Sequence, residues 1–488
     1  MNFGMVRKII GKIMILMSAL MVLPIIVAIC YQEKMMNYTA FLAPAAGMLV
    51  IGLLLNIGKA KAKLTPRDGF VIVGLGWLIM SLFGSLPLLI SGYYTNFFDA
   101  FFEISSGFTT TGASITTSDV LNELLNSGHS ILFWRSFTHW IRAMGVLVFI
   151  LAIIPESDEG SSVHILRAES PGPTVGRLVS KMKASSRILY LIYIALTIIE
   201  FVFLILGPNK EMGIFESLVY SLGTAGTGGF AINAISIEMY SAYYQYVIAS
   251  FMLIFGINFT MFYLIIVGKI KDVFKSEELR WYLITVISSI VLLTLNIYHM
   301  YNNIEQAIRL AYFQTATVIS TTGYSTSNFD LWPEFSKGIL IVLMFTGACA
   351  GSTAGGIKFS RVIILIKSSI NKIRGMINPK RVKTVKMDGK PVSEDTLSSV
   401  QSFFIVYLLV LVLCSILISF DGHPFTTNFT ASLACISNIG PGLQLVGPYG
   451  SYSIFSNFSK FILSIEMIAG RLELFPILIL FSPHTYKR

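Results

Sequence analysis

Charge is scarce in this sequence of 488 residues. Asp, Glu, Lys and Arg make up 13% of it and hydrophobic residues 54%, whereas a soluble domain usually has about 25% charged residues. Cysteine is also rare, with four residues and no CxxC pair, and neither HExxH nor GxSxG occurs. These shortages exclude a water-soluble fold, a disulfide framework and the usual zinc-protease and serine-hydrolase sites.

Basic residues outnumber acidic ones by 36 to 26, which gives a net charge of +10. They do not form the single basic face that nucleic-acid binding requires. Instead they cluster in short connections between apolar runs: 59–67, 167–187, 269–280 and 358–390. The positive-inside rule makes these connections cytoplasmic and the alternate ones external. We therefore expect a multi-pass protein of the lipid bilayer, with both termini cytoplasmic and no nucleic-acid partner.

Apolar runs of membrane-spanning length recur along the whole chain. Hydropathy predicts ten spans: 13–30, 39–57, 70–91, 130–154, 188–206, 244–268, 282–299, 338–372, 399–419 and 456–480. Four shorter apolar stretches end in Gly/Ser/Thr-rich turns: 97–112, 214–228, 304–323 and 425–440. If these stretches crossed the membrane, the alternation of basic and non-basic connections would fail. We predict that each one enters and leaves on the outer side.

This pattern is an internal repeat. It predicts an all-α polytopic membrane protein in which two N-terminal helices precede four units, each made of a spanning helix, a re-entrant half-helix and a second spanning helix. The predicted boundaries are 1–68 for the N-terminal pair, then 69–158, 159–270, 271–392 and 393–488 for the four units.

The four turns point to a cation pathway. Irregular backbone at membrane depth is tolerated only where protein or water satisfies it, and turns that meet at an axis would offer carbonyl oxygens in place of an ion's hydration shell. Threonine hydroxyls add oxygen without charge, which favours a monovalent cation. The alternative is that these turns are ordinary helix-packing segments. The predicted ion ligands are Thr110, Thr111, Gly112, Thr227, Gly228, Thr321, Thr322, Gly323, Asn438, Ile439 and Gly440.

The eighth span is too long for one crossing and contains a run of small residues with poor helix propensity at 347–356. We expect an irregular, movable segment that lies across the pore as a gate, with a packing kink as the alternative. Its glycines are Gly347, Gly351, Gly355 and Gly356. Arg471 lies inside the last span, where a charge is costly and indicates function. Facing the pore, its guanidinium would repel a passing cation.

The sequence resembles the Trk/Ktr/HKT superfamily of potassium-translocating subunits, and most closely its TrkH type. The matching stretches are 106–114, 133–136 with 138–140, 167–173, 347–358 and 470–476. The resemblance implies a pseudo-fourfold pore with Gly112, Gly228, Gly323 and Gly440 as filter glycines. It also implies K⁺ as the transported ion without a bound prosthetic group, a homodimer in the bacterial inner membrane, and control by a cytosolic nucleotide-binding ring of the RCK or TrkA type.

Two alternatives stay open. One is K⁺ symport coupled to Na⁺ or H⁺, which predicts titratable groups along the pathway, and the turns contain none. The other is an integral-membrane transferase, which requires a cluster of acidic, histidine or cysteine side chains at the membrane surface. Asp421 with His423 and Asp119 with Glu123 are the nearest approach to such a cluster. We therefore favour a transporter over an enzyme.

Overall fold

A computed structural model describes residues 1–58, 65–143, 182–378 and 384–485. Most of these residues are helical, turns and irregular segments connect the helices, and the strands among them are one antiparallel pair of two residues each, β1 (Lys386–Met387) and β2 (Lys390–Pro391). The helices are α1 (Phe3–Leu20), α2 (Val22–Cys30), α3 (Met35–Asn56), α4 (Pro66–Ile90), α5 (Phe97–Thr109), α6 (Ser118–Ser127), α7 (His129–Ala143), α8 (Met182–Ile205), α9 (Ile214–Gly226), α10 (Ala242–Phe255), α11 (Phe259–Ile266), α12 (Ile270–Lys275), α13 (Glu277–Ile297), α14 (Ile304–Ile319), α15 (Glu334–Thr346), α16 (Phe359–Ile377), α17 (Glu394–Ile418), α18 (Phe425–Ser437), α19 (Asn457–Arg471) and α20 (Phe475–Phe481).

Six helical stretches in the described part of the chain are long and apolar enough to cross a membrane: Phe3–Cys30, Met35–Asn56, Arg67–Ile90, Arg187–Ile205, Glu277–Met300 and Glu394–Asp421. Their outward faces carry exposed large apolar side chains, such as Leu42, Leu191 and Leu409. In a membrane protein such faces contact lipid. The predicted all-α polytopic membrane fold is therefore confirmed.

In the described part of the chain, three predicted spans are interrupted by a sharp bend or by several non-helical residues. The span 244–268 bends by 91° between α10 and α11, where Gly256 weakens the helix and the Asn258 side chain accepts a hydrogen bond from the Thr260 amide to start the next one. The span 456–480 breaks after Arg471 because the next helix begins only at Phe475. The interruption predicted at 347–356 is confirmed, since α15 ends at Thr346 and α16 begins at Phe359.

Parts of the remaining predictions lie outside the described residues. Helix α7 covers the first part of the predicted span 130–154, and the rest of that span lies in the gap 144–181. The same gap contains most of the basic connection 167–187 and the matching stretch 167–173, and most of the basic connection 59–67 falls in the gap 59–64. The numerical boundaries of the four repeats stay a prediction.

The four re-entrant stretches form helices α5, α9, α14 and α18, which we call the pore helices. Three have 13 residues and α14 has 16, so each is about 20–24 Å long at 1.5 Å per residue and shorter than a bilayer core of about 30 Å. Their C-terminal halves are completely buried among the longer helices. The hydrophobic core therefore surrounds the pore helices and holds their C-terminal ends in place.

Candidate functional site

The pore helices end in four turns with the same backbone signature. In each turn a residue in the left-handed region is followed two positions later by a glycine with positive φ. The left-handed residues are Thr110, Thr227, Thr321 and Asn438, with φ of 51–57°, and the glycines are Gly112, Gly229, Gly323 and Gly440, with φ of 72–100°. A left-handed conformation is costly for a residue with a β-carbon. Its recurrence in four turns therefore marks a geometry that the fold enforces.

This signature corrects the predicted register of the second turn. We predicted Gly228 as the counterpart of Gly112, Gly323 and Gly440, but the structure puts Gly229 there. Helix α9 ends at Gly226 and Thr227 takes the left-handed position. Gly228 therefore occupies the place of Thr111, Thr322 and Ile439 in the other turns.

Each of the four glycines lies against a carbonyl group of the next turn. A β-carbon added to Gly112 would lie 2.1 Å from the Gly228 oxygen, and one added to Gly229 would lie 1.9 Å from the Thr322 oxygen. The third and fourth contacts continue the series: 2.2 Å between Gly323 and the Ile439 oxygen, and 2.8 Å between Gly440 and the Thr111 oxygen. In chain order, the first turn contacts the second, the second contacts the third, the third contacts the fourth, and the fourth contacts the first. They close a ring, which only residues without a side chain can form at these distances.

The carbonyl oxygens of this ring are not used by the fold. In the described residues no hydrogen bond is donated to the carbonyl of Thr111, Gly228, Thr322 or Ile439. The hydroxyls at the same positions are engaged elsewhere: Thr111 Oγ1 pairs with Thr109 Oγ1 at 2.7 Å, and Thr322 Oγ1 with Ser320 Oγ at 2.7 Å. Of the predicted threonine hydroxyls, Thr227 Oγ1 donates to the Gly226 carbonyl and Thr321 Oγ1 accepts from the Gly355 amide. Thr110 Oγ1 is buried without a hydrogen-bond partner among the described residues. Among these carbonyls and hydroxyls, the uncommitted groups are therefore the four carbonyl oxygens and this one hydroxyl.

A cavity of about 230 Å³ lies on the outer side of the ring, lined by small polar residues and backbone that include Ser114, Thr116, Asn233 and Ser325. Near its rim, Asp330 accepts a hydrogen bond from the Gln444 amide at 2.9 Å. Burial raises the pKa of the Asp330 carboxyl. The residues that line the mouth of the ring are mostly small, and one of them, Arg135, is charged.

A buried ion pair supports the segment that follows the first turn. Glu103 accepts hydrogen bonds from the Ser114 hydroxyl, the Ile115 amide and the Thr116 hydroxyl, each at 2.9 Å. Arg135 donates to the same carboxylate at 2.6 and 2.9 Å, and both side chains are at most 2% exposed. The opposite charges compensate each other in the apolar interior. Arg135 therefore has a structural role.

The predicted gating residues meet at the inner end of the turns. Residues 347–358 form an irregular segment, which we call the intramembrane loop, and Gly347, Gly351 and Gly356 have positive φ within it. The Gly355 amide donates to Thr321 Oγ1 at 2.7 Å. A β-carbon on Gly355 would lie 2.5 Å from the Ser437 carbonyl oxygen. The loop therefore contacts both the third and the fourth turn.

Arg471 joins this group. Its Nη2 donates to the Thr353 carbonyl oxygen of the intramembrane loop at 2.9 Å. Glu473, two residues further on, forms its ion pair with Arg361 instead. The structure thus places Arg471, the loop and two of the turns together, an arrangement in which movement of the loop must also change the environment of the arginine.

These features define a class of protein: a helical membrane protein in which four re-entrant turns surround one axis and an irregular loop adjoins their inner end. The family model described as TrkH, cation transport protein, matches residues 34–486. The chain belongs to this family of cation transport proteins. Membership confirms that it is a transporter rather than an enzyme, which rules out the transferase alternative.

Several known proteins resemble it along all or nearly all of their length. The Trk system potassium uptake protein TrkH of Escherichia coli K12 is 32% identical, with all of both chains covered, and the TrkG protein of the same strain is 31% identical over 98% of this chain and 97% of its own. The crystal structure of the potassium transporter TrkH from Vibrio parahaemolyticus covers all of both chains with a TM-score of 0.88 and 30% identity.

Proposed function

We propose that this protein takes up K⁺ as the membrane component of a Trk system, and that the ring of carbonyl oxygens at Thr111, Gly228, Thr322 and Ile439 is its selectivity filter. The closed series of glycine-to-carbonyl contacts supports the proposal most directly. The relatives are named as potassium uptake proteins and a potassium transporter, and these names are the basis for proposing K⁺ as the ion. Gly112, Gly229, Gly323 and Gly440 frame the filter, with Gly229 replacing the Gly228 of the sequence-based assignment.

The chemistry of the ring suits a monovalent cation. Its oxygens are neutral, whereas a divalent site would ordinarily contain carboxylates. The four pore helices direct their partly negative C-terminal ends toward the ring, which lowers the energy of a cation there. The membrane potential drives entry and supplies about 2.3 kcal/mol per charge per 100 mV.

The intramembrane loop and Arg471 form the gate in this proposal. The loop contacts the inner end of two turns through Gly355, and the guanidinium of Arg471 is hydrogen bonded to the loop at Thr353. A positive charge beside the pathway raises the energy of a passing cation. Displacement of the loop removes the obstruction and frees the guanidinium to move away with it.

The proposal includes a cellular setting, which is supported by the placement of basic residues in the sequence and by the family. We propose a homodimer in the bacterial inner membrane, with both termini in the cytoplasm. A cytosolic nucleotide-binding ring of the RCK or TrkA type would act on the cytoplasmic face. That face carries the basic residues Lys269, Lys271, Lys275, Lys372 and Arg374.

Cation flux into liposomes that contain the purified protein tests the proposal, with K⁺, Rb⁺, Na⁺ and Li⁺ compared. We expect K⁺ and Rb⁺ to enter faster than Na⁺ and Li⁺, and Gly323→Ser to reduce this preference because its side chain would meet the Ile439 oxygen. Gly338→Ala is the matched control, since no atom lies within 4 Å of the added carbon.

Two outcomes would contradict the proposal. Absence of cation flux in both the wild type and Arg471→Ala would argue against conduction. K⁺ flux that requires a Na⁺ or H⁺ gradient would favour the coupled symport instead, so each flux is also measured with those gradients removed.

A further inference from the structure

Glu278, near the start of α13, lies outside the proposed filter and gate but reaches the intramembrane loop. Its side chain is 7% exposed. One carboxylate oxygen, Oε1, accepts hydrogen bonds from the Ala350 amide at 2.7 Å and from the Ser360 amide at 3.0 Å. These two donors are ten residues apart in the chain. A single buried carboxylate oxygen thus bridges the middle of the loop and the first turn of α16.

Both donors need such an acceptor. The Ala350 amide belongs to irregular backbone at membrane depth, and the Ser360 amide is one of the first-turn amides of α16 that have no partner inside the helix. A charged acceptor makes stronger hydrogen bonds than a neutral one, particularly where water is absent. Glu278 therefore stabilises the loop in the position that the structure shows.

The other side of the loop is held by the break between α10 and α11. The Cys349 amide donates to the Gly256 carbonyl at 3.1 Å, and the Phe259 amide donates to the Gly351 carbonyl at 3.1 Å. These contacts flank Ala350, the residue that Glu278 binds. The loop is consequently held on two sides, by the bend at 256–258 and by Glu278. These two parts of the chain are connected through the cytoplasmic helix α12.

We infer that Glu278 is a positioning residue for ion conduction: it holds the intramembrane loop against the inner end of the filter turns, and its release permits the loop to move. Its contact with the loop is independent of function, whereas its effect on flux rests on the proposed gating role of that loop. The two parts can be tested separately because the loop contains its own reporter, Cys349, which is 1% exposed.

The experiment measures how fast a maleimide modifies Cys349 in the full-length protein in lipid nanodiscs, after replacement of Cys30, Cys414 and Cys435. We expect Glu278→Gln to increase the rate by about tenfold, the factor that weakening charge-assisted hydrogen bonds supplies, and Glu278→Ala to increase it further. Glu277→Gln is the matched control. This neighbouring carboxylate forms an ion pair with Lys367 and, among the described residues, no hydrogen bond or ion pair with the loop.

A rate for Glu278→Gln that equals the wild-type and Glu277→Gln rates would overturn the inference. Size-exclusion profiles and thermal unfolding identify variants that fail to fold. If Glu278→Ala is one of these, Glu278→Asp replaces it, because the shorter side chain cannot reach both amides; unchanged labelling in that variant would equally refute the role. Faster labelling without a change in K⁺ flux would confirm that Glu278 holds the loop and would instead refute the proposed gating function.

Discussion

The register of the ring predicts different effects for substitutions at two adjacent glycines, Gly228 and Gly229. Gly229→Ala should destroy ion selectivity because its β-carbon would lie 1.9 Å from the Thr322 carbonyl oxygen, a backbone atom of the proposed filter. Ordinary contact begins at 3.4 Å, so the two groups must separate by 1.5 Å. The positive φ of 72° adds a cost of about 1–2 kcal/mol for alanine.

Gly228→Ala creates a different conflict. Its β-carbon would lie 2.0 Å from the His139 imidazole, which is a side chain and can be removed. His139→Ala should therefore partly restore the selectivity of Gly228→Ala, and it should not restore that of Gly229→Ala. In a double-mutant cycle the first pair is coupled, whereas the second pair is additive.

The assay is the K⁺/Na⁺ flux ratio in liposomes. We expect the ratio to fall at least about tenfold in Gly229→Ala, equivalent to about 1.4 kcal/mol of lost discrimination. Gly338→Ala should keep the wild-type ratio. Normal selectivity in Gly229→Ala, together with a loss in Gly228→Ala that His139→Ala does not relieve, would refute the register and restore Gly228 as the filter glycine.

Three further predictions concern the gate and its surroundings. Arg471→Gln should increase K⁺ flux several-fold with an unchanged K⁺/Na⁺ ratio, because it removes the positive charge and leaves the ring intact; reduced flux in a folded variant would contradict this. Gly355→Ala should also increase flux, since its β-carbon would push the loop away from the Ser437 carbonyl, whereas Gly375→Ala, with no atom within 4 Å, should have no effect on flux. Glu103→Gln should lower the free energy of unfolding by about 3–5 kcal/mol, the cost of leaving the buried charge of Arg135 without its partner, and thermal unfolding in detergent measures it.

The sequence is sufficient to predict the membrane class and the four short helices, because both depend on hydropathy and on the placement of charge. It is not sufficient to place the second turn. Gly226, Gly228 and Gly229 all occur within four residues, and local pattern alone cannot choose among them. The choice depends on where α9 ends and on the His139 ring, which leaves no space for a side chain at Gly228. That ring comes from α7, and its position is a tertiary property.

Breaks in the spanning helices were similarly hard to predict. The small-residue run at 347–356 is visible in the sequence, so the interruption there was predicted correctly. The bend at 256–258 depends on one glycine and one asparagine within a strongly apolar run, and hydropathy averages over both. The break after Arg471 uses positive φ at Glu473 and Leu474, a conformation that neither residue type favours. Packing must enforce it.

The scarcity of charge and the irregular backbone are connected. Within the described apolar regions, Glu103 binds the segment after the first turn, and both Glu278 and Arg471 bind the intramembrane loop. Each of these charges meets backbone that has left the helical hydrogen-bond pattern and that lipid cannot satisfy. Several of the few charged side chains in this sequence therefore bind non-helical segments beside the proposed ion path. At Glu278 and Arg471 a neutral substitute weakens the contact with the loop without removing the helices, so these two positions should change conduction more readily than they abolish folding.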